Sequence, residues 1–296
     1  MSTKIYQALA IVLLLLFASS ASAAITCSLN STGFSSAYVP SNSGNNVTPA
    51  SVTMNCNRNV SGDATTQAFS VRPNNGNNPA GGGQNQATLG ATTNRIAYDL
   101  YTDAGCTSLW RNRNLAGTVT MGGGTDFSPY SVSLPYYGCI GPGQNPAQGT
   151  YSDLVTMLPS IGPNAAFSVS IFTPASCSFA VAPGPVAFSY TAFQTLAAQA
   201  TNTTFSANCT NLLPYQLALD GTPIGGVYPG IVSGLIYGLS ISTTAGGAAI
   251  LPADTQTGSG LPQTYYINGV MASGQAGTCA SASCAGSVPR SLTITY

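Results

Sequence analysis

Eight cysteines constrain this chain more than any other feature, because they fall into two sets of four with a shared spacing. Cys27, Cys56, Cys106 and Cys139 lie in the first half, and Cys177, Cys209, Cys279 and Cys284 in the second. In each set the first two are about 30 residues apart, and the second ends a similar run: Ser51-Val-Thr-Met-Asn-Cys56 and Thr204-Phe-Ser-Ala-Asn-Cys209. Both halves close on an alternating segment, Tyr151-Ser-Asp-Leu-Val-Thr-Met157 and Ser291-Leu-Thr-Ile-Thr-Tyr296. This is the mark of a diverged internal duplication. It predicts domains at 24–160 and 161–296, hinged at Pro159, Gly162 and Pro163.

An even number of cysteines behind a secretory signal implies disulfides formed in an oxidising compartment. Residues 1–23 read as that signal: Lys4, an apolar stretch through Leu13 and Phe17, then the small residues Ala21-Ser22-Ala23. Zinc would compete for the cysteines, but there is no His and the ligand spacings are absent. The expected pairs are Cys27–Cys56 and Cys177–Cys209, with Cys106–Cys139 and Cys279–Cys284 following by exclusion. No later stretch approaches the ~18 apolar residues of a membrane span, so the mature chain is expected to be soluble.

Cleavage after Ala23 would leave six Arg, seven Asp and neither Lys nor Glu. Such a chain has no basic face for nucleic acid or anionic lipid. Disorder requires few apolar residues, and here they make up 44%. Fifteen Tyr with frequent Val and Ile favour strands. Short runs of period two, such as Gln67-Ala-Phe69-Ser-Val71 and Tyr237-Gly-Leu239-Ser-Ile241, are separated by Gly, Asn and Pro clusters. The Asn- and Gly-rich stretch 74–93 reads as a loop. The fold class is all-β: two antiparallel β-sandwiches in tandem. The Asn-x-Ser/Thr triplets at Asn30, Asn46, Asn59, Asn202 and Asn208 read as chance in so Asn- and Thr-rich a chain.

The chemistry of catalysis is poorly supplied. General bases reduce to Asp and Tyr. Asp99 and Asp103 could be a carboxylate pair for glycoside hydrolysis, but their setting favours a turn cap and a solvated face. Gly81-Gly82-Gly83 and Gly122-Gly123-Gly124 lack the Lys-Ser/Thr of a phosphate loop and read as turns. Trp110 reads as core or sheet cover. The chain is not expected to be an enzyme, to bind a metal or to need a cofactor.

The segment Ala97-Tyr-Asp-Leu-Tyr-Thr-Asp-Ala-Gly-Cys106-Thr-Ser-Leu-Trp110 resembles the spore coat protein U domain family, as does Gly149-Thr-Tyr-Ser-Asp-Leu-Val-Thr156. The second half shares the early cysteine pair and the run Leu235-Ile-Tyr237, but has no Tyr-x-Asp motif and no Cys before a Trp. The resemblance implies a subunit of an archaic, Csu-type chaperone–usher pilus. The resemblance also implies immunoglobulin-like sandwiches, of which the second lacks its final strand. A periplasmic chaperone fills the gap first, and at the outer-membrane usher the next pilus subunit donates a strand in its place.

The mature chain would have only Ala24, Ile25 and Thr26 ahead of Cys27, about 10 Å of extended backbone and too short to donate. Phe167, Val169 and Ile171 alternate between the halves. They are read either as a donor strand acting in cis on the first domain or as the first strand of the second. Leu292, Ile294 and Tyr296 are the candidate chaperone contact strand. A subunit that accepts but cannot donate sits at the distal tip of the fibre, on the cell surface, where it would attach to an abiotic or host surface and promote biofilm. The candidate surface-binding loop residues are Tyr38, Val39, Phe127, Tyr130, Tyr136 and Tyr137. Two other functions compete: a spore- or cell-coat structural protein and a secreted carbohydrate-binding module.

Overall fold

A computed structural model describes residues 25–296, with the exception of 112 and 282. The expected signal segment therefore lies outside the described residues. Among them there is no α-helix; the one helical turn is a 3-10 turn at Gly81–Gly83, where a turn was expected.

Ten strands build the first half: β1 (Thr26–Ser31), β2 (Phe34–Ala37), β3 (Asn46–Asn57), β4 (Thr66–Pro73), β5 (Asn85–Thr88), β6 (Arg95–Tyr101), β7 (Leu115–Thr120), β8 (Tyr130–Ile140), β9 (Gly149–Pro159) and β10 (Ala165–Thr173). One wall runs β1-β3-β8-β6, and the other is β9-β10-β2 with β4 and β7 at its far edge. Strand β5 joins the walls through β6 and β9. It lies inside the stretch expected to be a loop. Its Asn85 and Ala87 are buried, and that inward packing overrides the Gly-rich local composition.

Nine strands build the second half: β11 (Cys177–Val181), β12 (Ala198–Gln199), β13 (Thr203–Cys209), β14 (Pro214–Leu219), β15 (Val227–Val232), β16 (Leu235–Ser242), β17 (Gln256–Thr257), β18 (Gln263–Met271) and β19 (Leu292–Thr295). One wall is β11-β13-β18-β16-β15, the other β17-β14-β19. The fold is all-β throughout, and each half has its own buried apolar cluster. The four disulfides are Cys27–Cys56, Cys106–Cys139, Cys177–Cys209 and Cys279–Cys284. The first and third tie equivalent strand pairs, β1 to β3 and β11 to β13.

Period-two alternation decides which side chains enter the cores. On β3, Val52, Met54 and Cys56 are buried; on β9, Tyr151, Val155 and Met157 are. On β10, Phe167, Val169 and Ile171 are buried in the first cluster, while Phe172 on the same strand faces outward at 49% exposure. The rings of Trp110, Tyr136 and Phe167 pack in a row at a tilt, with centroids 5.3 and 5.6 Å apart. Because β10 pairs antiparallel with β9 and parallel with β2, the expected boundary at 160 cuts between two strands of one sheet. The first sheet runs on to Thr173, and its buried apolar cluster to Ile171.

Burial also corrects two candidate loop residues. Tyr38 is 1% exposed, and its hydroxyl donates to the Gln144 carbonyl. Tyr136 is fully buried between Trp110 and Phe167. Large aromatic rings stabilise most when a core can take them whole, and Tyr38 and Tyr136 each keep a hydrogen-bond partner for the hydroxyl. Tyr130, Tyr136 and Tyr137 belong to strand β8 rather than to a loop.

Candidate functional site

The two halves repeat one another in detail, and that repetition exposes what the second half lacks. In the first, the Gln144 side chain pairs with the backbone of β6 like an extra strand: Oε1 accepts from Ala97 N at 2.6 Å and Nε2 donates to Ala97 O at 2.7 Å. Gln144 N then donates to the Tyr38 hydroxyl at 3.0 Å. In the second, Gln275 accepts from Ile236 N at 2.7 Å and donates to Ile236 O at 2.9 Å, and its N–H donates to the Tyr190 hydroxyl at 2.8 Å. Each Gln follows a Gly with φ near +76°, a left-handed turn that favours glycine. The dipeptides Gly143-Gln144 and Gly274-Gln275 were the available sequence signal for this device.

Further pairs follow. The Phe34 ring lies against Tyr98 at 5.6 Å, and the Phe188 ring against Tyr237 at 5.8 Å. Phe34 covers Gly138 so closely that a Cβ there would sit 2.6 Å from the ring, and Phe188 covers Gly269 with 2.7 Å. These contacts match β2 to the extended segment Val186–Tyr190, β6 to β16 and β8 to β18. Likewise β4 on β9 matches β14 on β19.

One element has no match. In the first half β9 has β4 on one side and β10 on the other. In the second half β19 pairs with β14, and among the described residues no strand pairs with its other edge. Side chains along that slot are correspondingly bare. Leu29, two residues after Cys27 and beside β10, is 5% exposed; Phe179, two residues after Cys177, is 38% exposed. Val181 is exposed, and Leu292 and Ile294 are half-buried. Of the chaperone-strand candidates, Tyr296 is 60% exposed. A shallow cleft of about 210 Å³ opens between Tyr296 and Tyr215 at the end of the β14–β19 pair.

A second feature lies at the far end of the first half. Register places Thr173 and Gly149 at the end that leads into the second half, and Ala165 and Met157 at the opposite end, about 27 Å away. The loops 58–65, 121–129 and 160–164 converge at that opposite end, where Cys56 meets Tyr130, Thr66 meets Thr120 and Met121 N donates to Thr65 O. Val60 and Phe127 are exposed there. Two carboxylates shape these loops. Asp63 accepts from Asn59 N (2.7 Å) and Val60 N (2.9 Å), and Asp126 accepts from the Tyr130 hydroxyl (2.7 Å) and Ser128 N (3.0 Å). Backbone hydrogen bonds from Val60 and Asn59 hold Asp63 below the usual carboxylate range, and the Tyr130 hydroxyl does so for Asp126. Val60 was not among the candidates drawn from the sequence. Val39 is exposed, and Tyr137 is half-buried.

The carboxylates weighed for catalysis are spoken for. Asp103 caps its turn, accepting from Thr107 N and Ser108 N. Asp99 is not on a solvated face: it is buried and paired to Arg111 at 2.5 Å. It lines a polar cleft of about 290 Å³ beside the Cys106–Cys139 disulfide. Asp153 is also buried, accepting from the Tyr98 hydroxyl at 2.7 Å. Burial first, then the Asp153 charge, raises Tyr98 far above an ordinary phenol, so it stays a donor. Among the described residues no group of His, Cys, Asp or Glu is arranged to hold a metal ion, and no helix is long and apolar enough to cross a membrane.

The family model described as the Spore Coat Protein U domain matches residues 13–158. Over that span the first half of the chain is similar to the spore coat protein U domain. The match stops within β9, so β10, the strand that fills the slot, lies outside it. Among curated proteins, none matches the chain. Among solved structures, the chain is similar to the CsuC–CsuE chaperone–tip adhesion subunit pre-assembly complex from archaic chaperone–usher Csu pili of Acinetobacter baumannii. Identity is 12% over 91% of this chain and 100% of that chain, with a TM-score of 0.46. It is also similar to the CupB6 tip adhesin from Pseudomonas aeruginosa, at 11% identity over 92% of this chain and 94% of that chain, with a TM-score of 0.39.

Proposed function

We propose that this chain is the adhesive tip subunit of a chaperone–usher pilus, with a first domain completed by its own linker strand and a second domain that accepts a strand from another chain. One observation carries the reading: the slot that β10 fills in the first half has a counterpart beside β19 that is open. Burying Phe167, Val169 and Ile171 stabilises the first half by on the order of 6 kcal/mol, at about 1.5–3 kcal/mol per side chain. That is comparable to the whole net stability of an ordinary domain. A second half without such a strand needs a partner to supply one. An unpaired β-edge with apolar side chains beside it is a site for strand addition.

The duplication supports an orientation for the incoming strand. As β10 runs antiparallel to β9 and parallel to β2, the donor runs antiparallel to β19 and parallel to Val186–Tyr190. It presents alternating apolar side chains to Phe179, Leu292 and Ile294. A periplasmic chaperone occupies the slot first, and the next subunit's strand replaces it at the outer-membrane usher. The end bearing Val60 and Phe127 then points away from the fibre on the cell surface. It makes nonspecific apolar contact with abiotic or host surfaces, and so promotes biofilm.

The test is co-purification from the periplasm with the pilus chaperone, comparing the full chain with one lacking Ser291 to Tyr296. A stoichiometric complex that the truncation abolishes is expected. A full chain that accumulates as a stable monomer without any chaperone would instead make it a self-sufficient coat or binding protein.

A further inference from the structure

Val60 and Phe127 sit on different loops, and a single buried cation joins those loops. Arg58 is 2% exposed. Its Nε donates to Asp63 O at 3.0 Å, its Nη1 to Gly122 O at 2.8 Å and Gly124 O at 3.1 Å, and its Nη2 to Val60 O at 3.3 Å and to Ser61 O. A guanidinium has five N–H groups, and here five main-chain carbonyls meet them. Three belong to the loop 58–65 and two to the loop 121–129.

A buried arginine is ordinarily paired with a carboxylate. Among the described residues the ion pairs are Arg111–Asp99 and Arg290–Asp220, and Arg58 is in neither. The nearby Asp63 and Asp126 accept instead from Asn59 N and Val60 N, and from Ser128 N and the Tyr130 hydroxyl at the start of β8, and the Arg58 charge adds only a lesser pull on either carboxylate. The geometry of Arg58 is therefore that of a fastener between two pieces of backbone.

We infer that Arg58 is a positioning residue that locks the loops 58–65 and 121–129 into one rigid contact surface, so that Val60 and Phe127 meet a flat apolar substrate together. Attachment then orders little backbone, which lowers its entropic cost. Lysine cannot substitute, because a point charge with three donors cannot span five carbonyls on two loops. The inference rests on the proposal that this end makes the surface contact, and the experiment separates the two.

Amide hydrogen exchange is measured on the full chain, and attachment on cells displaying it, using alkane-coated glass as the probe. Arg58→Lys and Arg58→Met are expected to speed exchange at least tenfold in 60–63 and 122–128, to leave β3 and β8 unchanged, and to cut attachment at least tenfold. Gly122→Ala reaches the same loops from the other side, since a Cβ there would lie 2.2 Å from Asp126 Oδ2, and it should loosen both. Unchanged exchange in Arg58→Lys overturns the inference, as does a loss of protection spread over the whole first half in all three variants. If the double variant V60S/F127S abolishes attachment but Arg58→Lys retains it, the positioning role fails while the contact surface stands. If V60S/F127S attaches normally, the contact surface itself fails, and the role of Arg58 with it.

Discussion

Asp153 accepts from the Tyr98 hydroxyl and from the N–H groups of Asn77 and Leu154, while only 7% exposed. Removing a buried acceptor leaves its donors unpaired, at about 1–3 kcal/mol for each group. Asp153→Ala is therefore expected to destabilise the first half by about 3 kcal/mol, read as a fall in the urea midpoint at constant slope. The second half solves the same position differently: the Tyr237 hydroxyl meets Arg290, which is paired to Asp220. The Tyr-x-Asp motif at Tyr151 to Asp153 was visible in the sequence, but its use was not. A carboxylate in a strand looks the same on paper whether it faces solvent or a buried phenol 55 positions away. Asp99 shows the opposite error, a residue read as solvated that burial commits to Arg111.

Strand β10 was legible as a strand because Phe167, Val169 and Ile171 alternate with polar neighbours. Which half it completes was not legible, since the same alternation fits either core. The two faces of this strand make a direct test. Phe167→Ala removes a ring packed against Tyr136 and should cost about 3–5 kcal/mol. Phe172→Ala, on the outward face, should change stability by no more than about 0.5 kcal/mol. Thermal or urea unfolding of the two variants checks the contrast. Strand β5 was missed for the converse reason: its own composition argues for a turn, and only pairing with β6 and β9 makes it a strand. The surface candidates Tyr38 and Tyr136 failed on orientation, because an aromatic in a β-rich chain is as ready to fill the core as to face water.

At the scale of the whole molecule, charge is nearly absent and the pH response follows from that. There is no His, and every described cysteine is in a disulfide, so no side chain titrates in its ordinary range between pH 5 and 8. The melting temperature is expected to be flat across that window. Asp63, Asp103, Asp126 and Asp220 are all held below the ordinary value of 3.8 by hydrogen bonds made in the folded state. A depressed folded value means the stabilisation is present above the unfolded value and is lost as pH falls through the folded one. Stability should thus decline only below about pH 4, and a scan from pH 8 to 2 checks it. The sequence by itself determined the all-β class and the duplication, because strand period and repeated cysteine spacing are read directly along the chain, while the expected disulfide pairs needed the structure to fix them. Only the tertiary structure decided that β10 closes the first core, that the edge of β19 is open, and that Val60, Phe127 and Arg58 meet at one end. Those are contacts between segments distant along the chain, set by which surfaces can pack and which backbone groups find partners.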